Sequence, residues 1–168
     1  MTTYRFCPLC AAPLEPLAGG EEAGRPACPS GHFVHYDNPA VTTMALLRDE
    51  QGRVLMLQRA REPFRGRWDF PGGFVNAGET PQAAIEREVA EEIGLTVELG
   101  EIVGTYASRY GDGDDARHTV DVAFTARVTG GELRLSDEHL DGRWFALDEA
   151  PEPAFAGERA ALERLRRK

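Results

Sequence analysis

At 168 residues, with 42% apolar and 28% charged side chains, the chain has enough material for one core of moderate size and a small appendage, in the composition of a soluble globular protein. A net charge of −9, from 28 acidic and 19 basic residues, gives no long-range attraction for polyanions, so broad nucleic-acid binding is disfavoured. No apolar run approaches the roughly 18 residues of a membrane-spanning helix, and the opening MTTYRFCPLC lacks the apolar segment of a signal peptide; the cytoplasm is the expected location and no membrane partner is expected.

The first candidate unit covers about Tyr4 to Tyr36. Cys7-Pro-Leu-Cys10 forms a knuckle and Cys28-Pro-Ser-Gly-His32 follows, so all three cysteines of the protein lie here. Three thiolates and an imidazole can close a tetrahedral zinc site, with His32 as the expected fourth ligand and His35 as the alternative. Gly19, Gly20, Gly24, Pro13 and Pro16 leave little apolar material between the cysteines, so a bound structural Zn²⁺ would have to supply the stability. Three ordinary reduced cysteines, or a redox pair, are the competing readings. Tyr36 to Pro39 reads as a linker, which divides the chain into a zinc-ribbon-like segment, 1–37, and a main domain, 38–168.

Ala40 to Leu47 and Arg53 to Arg59 read as strands joined by the turn Asp49-Glu-Gln-Gly52, a hairpin. Ala60 to Arg67, with Pro63 and Gly66, reads as a loop, and its arginines can be solvated or can face a diphosphate. Gly72-Gly73 lets backbone amides approach phosphate oxygens, and Arg59 is a further candidate for substrate binding. Trp68 is expected beneath this loop, with stacking on a base as the alternative.

The stretch from Thr80 to Gly94 predicts a helix over about Pro81 to Ile93: Thr80 suits the N-cap, Pro81 the first helical position, and Gly94 a left-handed stop. Ile85, Val89 and Ile93 make an apolar stripe. Beside it, Glu91 and Glu92 follow Glu88 by three and four positions, so three carboxylates share one sector. Two ionised carboxylates about 6 Å apart repel by about 3 kcal/mol at an effective dielectric near 20. Clustered hard oxygen ligands of this kind suit Mg²⁺ or Mn²⁺, which keep several waters and bridge to phosphates; a solvated acidic face is the bland alternative.

Further strands are expected within Thr96 to Tyr106, over Arg117 to Val128 and over Gly142 to Leu147, with Gly130-Gly131 as a turn before Glu132 to Leu135. A closing helix is expected over Glu158 to Arg167. Arg109 to Asp115 reads as a connecting loop. Tyr106 or Tyr110 is a candidate to stack on a nucleobase, and His118 is read as structural.

Gly73, then Glu79 after five residues, then after seven more Arg87-Glu88-Val89-x-Glu91-Glu92-x-Gly94-Leu95, resembles the Nudix box at every defined position. The resemblance implies an α/β fold, the Nudix α/β/α sandwich with a mixed sheet, and cleavage of a nucleoside diphosphate linked to another moiety. It implies that Glu88, Glu91 and Glu92 carry the metals, that Arg87 orients the glutamates, and that Gly73 and Glu79 shape the loop before the helix. Glu138, shortly before the Trp144 strand, matches a glutamate that comes near the metals in similar proteins, with Asp137 and Glu149 as rivals; Glu91, Glu88 or Glu138 would take the proton of the attacking water. A zinc ribbon before a Nudix domain also occurs in the NADH pyrophosphatases, but the Ser-Gln-Pro-Trp-Pro-Phe-Pro string of those enzymes is absent. The layout is more similar to Nudix proteins that act on ADP-ribose or FAD, with a small nucleotide as substrate and a homodimer as a common assembly. NADH or nucleoside triphosphate pyrophosphatase activity, a non-hydrolysing nucleotide sensor, and an interaction protein that recruits a partner through the ribbon are the alternatives.

Overall fold

The computed structural model describes residues Tyr4 to Arg167, which fall into two compact units, one ending at Asn38 and one starting at Pro39. In the first, β1 (Glu15–Pro16) pairs antiparallel with β2 (Pro26–Ala27), and single bridges join Phe6 to Pro13 and Ala27 to Val34. These pairings bury little apolar surface. Cys7 and Cys28 are buried while Tyr4, Phe6 and Leu9 are exposed, so the sulfur groups sit where a larger domain would have its core.

The second unit carries β3 (Ala40–Leu47), β4 (Val54–Arg59), β5 (Trp68–Asp69), β6 (Gly72–Phe74), α1 (Pro81–Ile93), β7 (Leu95–Tyr110), β8 (Arg117–Gly131), β9 (His139–Phe145) and α2 (Ala156–Arg166). One sheet has the order β6-β3-β8-β7, with β3 parallel to β8 and the other pairs antiparallel; a second sheet has the order β5-β4-β9 and is antiparallel throughout. The mixed sheet expected from the sequence is therefore present.

The expected β3–β4 hairpin is not. The Asp49 carboxylate accepts from the Gln51 and Arg53 amides and makes the turn, but beyond a single bridge between Arg48 and Val54 the two strands pair in different sheets. Burial explains the separation. Ala45, Leu47, Leu55 and Leu57 pack with Ile85, Val89 and Ile93 of α1, whereas Met44, Leu46, Val54 and Met56 pack with Ala161, Leu162 and Leu165 of α2. Each strand is apolar on both faces because each face meets a helix layer, and the result is a helix–sheet–helix sandwich.

Local chemistry sets the bounds of α1. The Thr80 hydroxyl accepts from the Ala83 amide at 3.2 Å, Pro81 opens the helix, and Gly94 ends it in the left-handed region at φ 70°. Glu132 to Leu135, beyond the end of β8, form no strand. The Arg134 and Ser136 amides instead donate to the Ile93 and Glu92 carbonyls, satisfying acceptors that the end of a helix leaves open. The other bounds differ modestly from expectation: β7 reaches Tyr110, β8 reaches Gly131, β9 starts at His139 and α2 starts at Ala156.

Because Ile85 is fully buried beneath the acidic face of α1, Ile85→Ala should cost about 2–5 kcal/mol in urea unfolding. Glu86→Ala, on the exposed side of the same turn, should stay within about 0.5 kcal/mol of the parent.

Candidate active site

Helix α1 lies against β6, and the contact depends on two glycines. A side chain at Gly73 would place its Cβ 2.5 Å from Glu88 Oε1. The absence of one lets the Glu88 carboxylate reach the strand. At Gly72 the amide donates to Glu92 Oε2 at 2.9 Å, and an added Cβ would meet the Thr43 carbonyl at 2.1 Å. The glycine pair considered as a phosphate cradle thus contacts the carboxylates directly, and both residues also line the cavity described below.

Arg87 gathers the acidic side chains around it. Its Nε and one terminal nitrogen donate to the two Glu79 oxygens at 2.8 and 3.0 Å, and the other terminal nitrogen lies 2.9 Å from Glu88 and 3.0 Å from Glu91. A further bond to the Phe74 carbonyl fixes the guanidinium to β6. These fork-shaped contacts hold the Glu79 carboxyl down at about 2, the Arg87 bonds being the main cause.

Beside these residues opens a cavity of about 460 Å³, lined by Glu88, Glu91 and Glu92 on one wall, by Arg59, Arg61, Glu138 and His139 on another, and by Phe74, Tyr110 and Phe155 on a third. Burial first, then the like charges of Glu91 and Glu138, raises Glu88. Glu92 is raised well above the usual carboxylate range, by burial and by Asp69, Glu88 and Glu138, against the pull of the Gly72 amide. Arg87 sets one positive charge against these carboxylates, whose ligand atoms are all hard oxygens, so the residues present fit a Mg²⁺-like ion.

Sequence reasoning missed the floor of this cavity. Asp69, Asp121 and Glu158 are all buried there. Asp121 accepts from the Thr42 and Thr119 hydroxyls at 2.5 and 2.8 Å, and Glu158 accepts from the Phe70 and Phe155 amides at 3.3 Å each. Arg59 donates to Asp69 Oδ2 at 2.6 Å while Asp69 Oδ1 has no partner. His139, also missed, sits with Nε2 3.7 Å from Glu92 and with Nδ1 unpartnered. A charged residue inside the alternating strand Thr119 to Phe124 was the available signal for Asp121; Glu158 and His139 had none.

The other candidates separate by position. Tyr110 lines the cavity and stacks on Phe155 at 5.5 Å and 12°, with Phe74 edge-on at 5.2 Å. Trp68 lies outside its wall, edge-on to Phe145, and Tyr106 packs into the α2 side of the core. Asp137 and Glu149 also lie outside the wall, whereas Glu138 is in it. Arg59 is nearly buried with Asp69, and removing one member of such a pair costs about 3–5 kcal/mol. Arg61 pairs with the exposed Asp137 and Glu138 at 2.7 Å each, contacts of a kind worth about 0–1 kcal/mol.

In the first unit, Cys7, Cys10, Cys28 and His32 form the one group among the described residues whose possible ligand atoms lie within 4.8 Å of one another. Cys10 and Cys28 Sγ are 3.6 Å apart, near the roughly 3.8 Å edge of a tetrahedron with bonds of about 2.3 Å. His32 joins the group and His35 does not; His35 packs against the Tyr4 ring at 4.9 Å.

The fold and this carboxylate-lined cavity define a metal-assisted phosphate-chemistry scaffold, and comparison with known proteins assigns the family. The NUDIX domain model matches residues 38–165, and the chain belongs to the Nudix hydrolase family. It is similar to the ADP-ribose pyrophosphatase of Methanocaldococcus jannaschii, at 34% identity over 131 residues covering 78% of this chain and 76% of that one. It is also similar to the NAD-capped RNA hydrolase NudC of Chromobacterium violaceum, at 32% identity over 150 residues, although it spans only 52% of that protein's length. A solved Nudix hydrolase from Nitrosomonas europaea superposes with a TM-score of 0.79 at 29% identity, covering 98% of this chain and 92% of the other. Nudix hydrolases act on small nucleotide substrates with divalent metals such as Mg²⁺. No helix among the described residues is long and apolar enough to cross a membrane.

The buried floor makes stability depend on pH. Burial pushes Asp69 from its ordinary 3.8 up to about 6, against the pull of Arg59. The native carboxyl keeps its proton where the unfolded chain has lost it. Its contribution is therefore fully present below about pH 4 and is lost as pH rises through about 6. His139, held down at about 4 by burial, contributes in the opposite sense over the same window, so the Asp69 contribution is read as a difference: without added divalent cation, the urea midpoint of the parent should fall relative to that of Asp69→Asn between pH 4 and pH 6.5.

Proposed function

We propose that the protein hydrolyses the diphosphate linkage of a nucleoside diphosphate derivative, ADP-ribose- or FAD-like, in a Mg²⁺-dependent reaction. The observation that carries this reading is that Glu88 and Glu91, held by Arg87, and Glu92, held by the Gly72 amide, line one cavity with Phe74, Tyr110 and Phe155. One end can hold a metal-bound diphosphate, and the other can take a base on the faces of Tyr110 or Phe155. The similarity to the M. jannaschii ADP-ribose pyrophosphatase supports the choice of substrate class.

A bound Mg²⁺ supplies charge neutralisation at the phosphoryl oxygens and a water of lowered pKa. Glu88, Glu91 and Glu92 would hold the ion, while Arg87 keeps Glu88 and Glu91 in place and the Gly72 amide fixes Glu92. With those three engaged, Glu138, a half-exposed carboxylate of the lining whose charge is felt at Glu88 and Glu92, would accept the water's proton. The water oxygen bonds to phosphorus, the bridging P–O bond breaks, and the leaving phosphate departs with the electron pair. Arg59, whose guanidinium lies 5.0 Å over the Phe155 ring, braces the wall beside the substrate.

A release assay on ADP-ribose, FAD, NADH, dinucleoside polyphosphates and nucleoside triphosphates, with and without Mg²⁺, tests the reading. ADP-ribose or FAD should be turned over fastest and only with the metal; saturable binding without turnover across the panel would favour a nucleotide sensor. On the best substrate, Glu92→Gln should lower kcat/KM by roughly 100-fold or more, and activity within a few-fold of the parent would sink the metal assignment.

The first unit is proposed to hold one structural Zn²⁺ through Cys7, Cys10, Cys28 and His32. Metal analysis of the purified protein should find about one zinc per chain. His32→Ala should lower that content, and His35→Ala should leave it unchanged.

A further inference from the structure

Four arginines line the cavity, and Arg61 is the one that is both open to water and paired with a carboxylate of the lining. Arg59 is nearly buried with Asp69, whose second oxygen already lacks a donor. Arg87 spends its donors on Glu79, Glu88, Glu91 and the Phe74 carbonyl. Arg109 donates to the Gly113 carbonyl. Arg61 is about half exposed, and its carboxylate partners are open to water as well: its side chain is 54% accessible, Glu138 51% and Asp137 84%. A salt bridge in water is weak and its arginine exchanges readily, whereas a diphosphate offers the same fork geometry with more negative charge.

We infer that Arg61 is an exchangeable clasp: without substrate it holds the Glu138 carboxylate, and on binding it transfers to the diphosphate and leaves Glu138 unpaired in the cavity. The inference rests on the hydrolase reading above. Three further features support it. The Ala60 amide donates to the Glu138 carbonyl at 2.8 Å, so the two loops stay joined while the side chains exchange. Glu138 adds to the negative charge felt at Glu88 and Glu92, so a counter-cation there relieves repulsion while the cavity is empty of substrate. The exchange then sets Glu138 free only when a diphosphate is present, which matches its proposed role as proton acceptor.

The clasp makes a prediction that ordinary packing does not. Removing the Glu138 charge should leave Arg61 only its pair with the exposed Asp137 and tighten binding of substrate, even as it impairs turnover. The probe is the α,β-methylene analogue of ADP-ribose, which is not cleaved, titrated calorimetrically in Mg²⁺ into the full-length protein. Arg61→Ala should weaken binding roughly tenfold or more. Glu138→Gln should tighten it by up to about fivefold. In the Arg61→Ala background that gain should vanish.

A gain of the same size with and without Arg61 would mean general relief of charge repulsion and would overturn the clasp, as would an Arg61→Ala affinity within twofold of the parent. Steady-state assays on ADP-ribose separate the two readings. A parent that turns over substrate without dependence on Arg61 overturns the clasp alone, and a parent that neither binds the analogue nor turns over any diphosphate overturns both.

Discussion

The acidic face of α1 touches the backbone of β6 with no side chain between them, and the rest of the second unit maintains that contact. Glu88 occupies the space that a Gly73 side chain would fill, and Glu92 takes the Gly72 amide. Several carboxylates at this distance repel one another by energies comparable to a substantial part of a domain's net stability. The offset comes from two sources. The apolar stripe Ile85, Val89 and Ile93 anchors the helix on the adjoining face, and Arg87 distributes one positive charge over Glu79, Glu88 and Glu91. What remains uncompensated is the charge that a divalent ion would neutralise.

Much of this was legible in the sequence, because it is local. A cap, a proline, a glycine stop and the three-and-four spacing of the glutamates specify α1 without knowledge of what surrounds it. The cysteine knuckle was legible for the same reason, and His32 falls among the cysteines as its spacing suggested. The hairpin reading failed at the point where locality fails. A short turn between two apolar strands is compatible with pairing, yet both faces of β3 and β4 are claimed by helix layers that are distant in sequence. Likewise Asp69, Asp121 and Glu158 resemble surface acids when read along the chain. Their burial arises only when strands β5 and β8 and helix α2 converge.

The two acidic layers of the cavity differ in kind. The helix wall sets its glutamates around a cation, suited to an ion that arrives with its waters. The floor is nearly fixed: Glu158 reaches back to the Phe155 amide at the start of α2, and Gly157 leaves room for the Asp121 carboxylate, whose Oδ2 would lie 2.0 Å from an added Cβ. Rigid acceptors buried beside an aromatic wall can discriminate among ring substituents, and mobile ones near the opening suit phosphate.

The connector between β8 and β9 is tied down twice. Its amides at Arg134 and Ser136 seal the carbonyl end of α1, and His139 begins the edge strand of the smaller sheet. Asp137 and Glu138 are the only two residues left between those moorings. Lengthening the chain at that point would extend the reach of Glu138 while leaving helix and sheet undisturbed. Descendants of this scaffold could thus adapt to bulkier leaving groups by insertion at a single short hinge, without rebuilding the ion-holding helix.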